Sequence, residues 1–139
     1  MTKPVVDLKQ LFIALDTSQF RQMFDSEEKC LAILADTKWK DGFTCQKCGS
    51  ARYGRGKKPH SRRCTRCKTE ESATAHTIFH HCRIPLASAF EIAYRVCGTP
   101  AIPASELAQI LDTRHMTCLN FKKKILECIL SHGDLTRVH

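Results

Sequence analysis

Residues 45–67 read CQKCGSARYGRGKKPHSRRCTRC. Two Cys-x-x-Cys pairs, Cys45/Cys48 and Cys64/Cys67, stand fifteen residues apart. Two thiols three positions apart in a tight turn both point at one metal ion. Zinc takes four ligands tetrahedrally and favours thiolate. Gly49, just after the first pair, gives the backbone access to a left-handed turn. The spacer is long enough for an antiparallel hairpin that brings the second pair back to the first. This is zinc-ribbon spacing. We therefore expect one Zn2+ held by Cys45, Cys48, Cys64 and Cys67. Four thiolates fill the shell and leave no position for water or substrate, so the expected ion is structural. His60, His80, His81 and Cys82 are rival ligands, but none has a partner at ligand spacing. A thioredoxin-like redox role needs a strand-to-helix junction in a βαβ unit, and this stretch offers none.

The same stretch concentrates charge. The chain carries 22 Lys or Arg against 14 Asp or Glu, a formal net charge of +8. Between Lys40 and Glu70 there are ten basic residues and two acidic ones, so the whole excess lies in this window. Lys47, Arg63, Arg66 and Lys68 help offset the −2 of a four-thiolate zinc. The remaining cations suit a phosphate backbone. We expect double-stranded DNA as partner, contacted by Arg52, Arg55, Lys57, Lys58, Arg62, Arg63 and Arg66. No unbroken apolar run exceeds six residues, far below the ~20 of a membrane span, and the N-terminus has no secretory pattern. Nine cysteines, an odd number, argue against a disulfide framework. Cys30, Cys97, Cys118 and Cys128 fall on apolar helical positions and read as small core residues.

Outside the window the pattern is helical. Leu8, Leu11, Phe12 and Leu15 share a helical face. Asp16-Thr17-Ser18 offers a break and a cap, with a short helical turn from Gln19 to Phe24. Ser26 caps the next helix, with Glu27 and Glu28 in its first turn. Glycines and Pro59 then punctuate a region of loops and short strands, of which Thr77-Ile78-Phe79 reads as the last strand. Helical period returns at Pro85, with Leu86, Ala89, Phe90, Ala93 and Val96 on one face. Ser105 reads as the cap of a helix over 106–111, and a longer helix follows from Met116 to Ser131. The fold class is α+β: a small zinc ribbon packed with a mainly helical bundle. The expected segments are an N-terminal helical cap over 1–38, the ribbon over 39–82 and a helical region over 83–139.

Residues 105–131 have the layout of a helix-turn-helix. Leu107 and Leu111 face inward from the first helix, and Cys118, Phe121, Ile125 and Cys128 from the second. Arg114, His115, Thr117, Asn120, Lys123 and Lys124 are left for DNA, since Asn reads adenine and Lys suits phosphate or guanine. Asp112 stands in the turn where a glycine is usual.

The motif order is Cys30 and Leu34 on a short acidic helix, Trp39-Lys-Asp-Gly-Phe43, the first knuckle with Gly49, and a basic spacer. The second knuckle, Thr77-Ile78-Phe79, Pro85-Leu86 with Phe90 and Tyr94, and Ser105-x-Leu107-Ala108 follow. It resembles the N-terminal zinc-ribbon region of a family of bacterial insertion-sequence transposases, over about residues 18–130. The resemblance implies binding to the terminal repeats of a mobile element, in the bacterial cytoplasm at the nucleoid. In that family a catalytic domain with an Asp-Asp-Glu triad follows the ribbon. No position here matches the triad, and only five residues follow Asp134. Ala75-His76 also replaces the glycine that usually precedes Thr-Ile-Phe.

The expected function is therefore a non-catalytic, zinc-dependent DNA-binding protein of transposase origin, without a small-molecule substrate, acting on element ends or an operator. The rival is a protein-interaction module that pairs with itself, a full-length transposase or the transcription machinery. Its expected mark is apolar exposure along Leu8–Leu15. A further rival is the N-terminal piece of a longer enzyme.

Overall fold

The computed structural model describes residues 7–80 and 82–136. Valines 5 and 6 of the first helical stretch, and His81, lie outside them. Three short helices open the chain: α1 (Leu8–Ala14), α2 (Thr17–Met23) and α3 (Glu27–Lys38). Strands β1 (Tyr53–Arg55), β2 (Arg62–Cys64) and β3 (Glu70–Glu71) follow, then α4 (Leu86–Gly98), α5 (Ala104–Leu111) and α6 (His115–His132). This is the expected α+β class. No described helix is long and apolar enough to cross a membrane.

The first three helices start where side chains serve their unpaired N–H groups. Asp16 caps α2 in a capping box: its carboxylate accepts from the Gln19 amide at 2.8 Å, and the Gln19 side chain returns the bond to the Asp16 amide at 3.0 Å. Ser26 Oγ accepts from the Lys29 amide at the start of α3. The cap of α1 comes from the far end of the chain. Asp134 Oδ1 accepts from the Lys9 amide at 3.0 Å, and Asp134 Oδ2 accepts from the Thr136 hydroxyl at 2.9 Å.

The helical core is organised by rings. Phe12 meets Phe20, Phe24, Phe90 and Tyr94 edge-on, with centroids 5.6–6.2 Å apart. This is the geometry the aromatic quadrupole favours. Phe79 joins Phe90 to Phe121 of α6. Leu8 and Phe12 are buried and Leu11 and Leu15 pack against the core, so the apolar face of α1 is covered. Cys30, Cys97, Cys118 and Cys128 are buried, as their helical positions imply. Burial pushes the Cys30 and Cys97 thiols up to about 12.

The ribbon has a smaller core of Ala35, Trp39, Phe43, Cys45, Cys64 and Ala73. Helix α3 serves both cores, sending Cys30 and Leu34 into the helical one and Ala35 into the ribbon. The strands pair antiparallel in the order β1-β2-β3, with Arg55 opposite Arg62 and Arg62 opposite Glu71. Lys38, at the end of α3, reaches the sheet. Its ammonium meets Glu71 at 2.6 Å and donates to the Ser72 carbonyl at 2.9 Å, with both side chains under 10% exposed. Desolvation lowers the Lys38 pKa, and the bond to Glu71 opposes that shift.

Two expectations are corrected. Thr77-Ile78-Phe79 is a run of turns, not a strand. All three side chains are buried, whereas a strand at the surface alternates. The Thr77 hydroxyl satisfies the local backbone instead, donating to the Thr74 carbonyl and accepting from the Phe79 amide. Ser105 does not cap α5. The helix begins at Ala104, after Pro103 in extended conformation, and the Pro103 carbonyl accepts from the Glu106 and Leu107 amides.

The Lys38–Glu71 pair yields a prediction. Lys38→Met leaves a buried carboxylate without its cation, which costs about 3–5 kcal/mol. Lys38→Met/Glu71→Leu should recover most of that loss. Urea unfolding at fixed free zinc reads both; equal losses in the single and double variants would show that the charge pairing is irrelevant.

Candidate metal centre

The two knuckles are built alike. In the first, the Gly49 amide donates to the Cys45 carbonyl at 2.9 Å and the Cys45 amide to the Ser50 carbonyl at 2.8 Å. In the second, the Lys68 amide donates to the Cys64 carbonyl at 3.0 Å and the Cys64 amide to the Thr69 carbonyl at 2.9 Å. Each knuckle also aims one amide at its leading sulfur: Cys48 N at Cys45 Sγ and Cys67 N at Cys64 Sγ, both 3.5 Å. These turns demand a left-handed residue after the second cysteine. Gly49 sits there at φ +77°, and Lys68 adopts φ +66° without glycine's freedom. A β-carbon in that region costs about 1–2 kcal/mol.

The four sulfurs lie within 4.8 Å of one another. Cys45–Cys67 and Cys48–Cys64 are each 3.5 Å apart. A tetrahedral zinc with bonds of about 2.3 Å spaces its thiolates about 3.8 Å apart. The cluster therefore matches zinc in donor type, number and spacing. It is the group of four the spacing implied, without His60 or Cys82. His60 lies elsewhere, against Glu28 at 2.7 Å. The environment favours thiolate unevenly. The Thr69 hydroxyl, 3.2 Å from Cys67 Sγ, heads the causes that bring Cys67 down to about 6. Backbone N–H groups, led by that of Cys67, lower Cys64. Cys48 accepts from the Ser50 amide, which lowers it, but burial and the neighbouring thiols together push it up to about 11. Zinc supplies the charge that holds all four deprotonated, and its closed shell makes it a structural ion.

Around the site, Arg52, Arg55, Lys57, Lys58, Arg63 and Arg66 are exposed. Arg62 is different. Its guanidinium lies over the rings of Tyr53 at 4.2 Å and Trp39 at 4.6 Å, fastening the sheet to the end of α3. Glu70, missed at the sequence level, shapes the basic loop. Its carboxylate accepts from the Lys57 and Lys58 amides at 3.0 and 3.1 Å and from the Ser61 hydroxyl at 2.9 Å. Those bonds hold its pKa down at about 2, from an ordinary 4.5. The clamp is therefore fully formed above about pH 4.5 and is lost only as pH falls toward 2. Gly56 allows it: a β-carbon there would stand 2.1 Å from Ser61 Oγ and 2.7 Å from the Glu70 carboxyl carbon. Being one of two acids in a basic window was the signal that could have singled out Glu70. At the other candidate surface, Arg114, His115, Asn120 and Lys123 are exposed, and Thr117 and Lys124 half-buried.

Zinc content by mass spectrometry should be one ion per chain, and none in Cys48→Ser, whose ribbon amides lose dispersion. Lys68→Gly should stabilise the loaded protein by roughly 1 kcal/mol, by relieving the left-handed backbone. No gain in denaturation midpoint would locate the strain elsewhere.

Residues 25–70 match the family model described as the transposase zinc-ribbon domain. The match takes in α3, β1 and β2 and ends at Glu70, the first residue of β3. No curated protein and no solved structure matches the chain. The four cysteines at zinc spacing lie inside the matched segment, so residues 25–70 are similar to a transposase zinc-ribbon domain in both sequence and ligand set.

Proposed function

We propose that this chain binds double-stranded DNA and does so as a binding protein rather than a catalyst, at a mobile element's ends or an operator derived from them. The observation that carries the reading is the exposed basic loop on the ribbon. Arg52, Arg55, Lys57 and Arg66 are exposed and form no ion pair among the described residues. Glu70 hydrogen-bonds backbone amides and the Ser61 hydroxyl rather than a lysine ammonium. The loop thus keeps its cations for phosphate while its backbone is fixed.

The helix pair α5–α6 supports the same reading. Asp112 closes α5 in a left-handed conformation, φ +50°, at the position where a glycine is usual. Only Thr113 and Arg114 then separate this cap from α6. Leu107, Cys118, Phe121, Ile125 and Cys128 are buried, and Asn120 is exposed on α6. In this reading the ribbon lies along phosphates, and the first turns of α6 enter the major groove.

Phosphate contacts release counterions, so log K should fall with log salt at a slope of about −0.9 per neutralised phosphate. Arg55→Ala/Lys57→Ala/Lys58→Ala should make that slope shallower by about 2–3. A slope unchanged by the triple variant would remove the loop from the interface. Selection from a randomised duplex library with zinc-loaded protein tests the helix. An enriched motif should weaken in Asn120→Ala/Lys124→Ala. No retained duplex in the selection would refute the DNA reading altogether. Glu70→Ala should leave zinc in place but speed tryptic cleavage after Lys57 by about tenfold or more, because three hydrogen bonds to the charged carboxylate are lost.

A further inference from the structure

On α1 only Ile13 is an exposed large hydrophobic, at 55%, whereas α6 exposes several. Met116 is 59% exposed, Leu126 36% and Leu130 89%. Leu119, half-buried with part of its side chain against the helical core, and Lys123, exposed, complete the set. The spacing 116-119-123-126-130 is three, four, three, four, the a/d pattern of a heptad seam. At 3.6 residues per turn these five positions share an arc of about 80°. The buried side chains of the same helix, Cys118, Phe121, Ile125 and Cys128, lie on the opposite arc. Helix α6 therefore has two apolar faces, one in the core and one in solvent.

We infer that α6 pairs with α6 of a second copy of this chain, parallel and in register, along Met116, Leu119, Lys123, Leu126 and Leu130. Charge selects this occupant and this orientation. With 116, 123 and 130 at a positions, Lys122 falls at g and Glu127 at e. In a parallel pair the g residue of one helix faces the e residue five positions on in its partner. Lys122 then meets Glu127 of the second copy, and two-fold symmetry makes that contact twice. An antiparallel pair brings g against g and e against e, which sets like charges together. Lys122 also donates to the Ile102 carbonyl at 2.7 Å, so its ammonium is held at the edge of the stripe. Lys123 interrupts the stripe at a central a position. A single lysine there fixes register and dimeric state at a cost in stability, its stem lying along the seam while its ammonium reaches water.

In this pairing Lys123 belongs to the seam, which leaves Thr117, Asn120 and Lys124 to the DNA face; the test contains no DNA, so its failure is distinguishable from failure of the DNA reading. Sedimentation equilibrium of the zinc-loaded chain should move with concentration from 15.8 kDa toward twice that mass. Leu130→Lys removes an exposed side chain, so zinc content and far-UV circular dichroism should stay as they are. The dimer dissociation constant should rise about tenfold or more. Glu127→Lys and Lys122→Glu should each weaken self-association, and mixing them should restore a mixed dimer in which both charge contacts are complementary. A monomer at every concentration overturns the proposal. So does a dimer indifferent to Leu130→Lys, or a mixture of the two charge variants no tighter than either alone.

Discussion

Four sulfurs held 3.5–4.8 Å from one another are the constraint on which the ribbon rests. Two unit charges at that spacing repel by about 4 kcal/mol at an effective dielectric of about 20. Four thiolates do not share such a space unless a cation joins them. The strands offer little resistance of their own, being two or three residues long. Nearly every polar device around the sulfurs serves the same end: amides aimed at the leading cysteines, the Thr69 hydroxyl at Cys67, and a rim of lysine and arginine. Metal and fold are one equilibrium here.

Helix α3 joins the ribbon to the rest of the molecule. Trp39 and Lys38 at its end grip the sheet, one through the Arg62 guanidinium and the other through Glu71. Its opposite side, at Cys30 and Leu34, is sealed in the helical core. A helix apolar on two sides presents a blurred amphipathic signature, and α6 has the same property for a different reason. In both, the second apolar side is the informative one: a neighbouring unit in α3, open solvent in α6.

Much of this was legible beforehand. The knuckles, the ligand set, the Asp16 and Ser26 caps and the core cysteines follow from spacing and side-chain chemistry alone. The missing glycines at positions 76 and 112 were visible too, and both His76 and Asp112 do adopt left-handed backbone, at φ +62° and +50°. The failures have physical causes. Thr77-Ile78-Phe79 has the composition of a strand, but strand propensity measures fit to a half-buried pleat, and these residues are wholly inside. Arg62 looks like its neighbours in a basic run until two rings close over it. Glu70 gains its role from partners nine to thirteen residues away across a loop, a distance that no local pattern encodes.

The cap that Asp134 places on α1 sets an order of assembly during synthesis. The ribbon's last ligand is Cys67, near mid-chain, and its small core is complete by Ala73. Every partner it needs lies within one continuous stretch. Helix α1 emerges first but waits for a carboxylate 125 residues downstream, and Ile78 waits for the Leu135 carbonyl. On the ribosome the metal-bound unit is therefore the early one. The helical core draws on residues as late as Leu135, so zinc can bind the nascent chain before that core is complete.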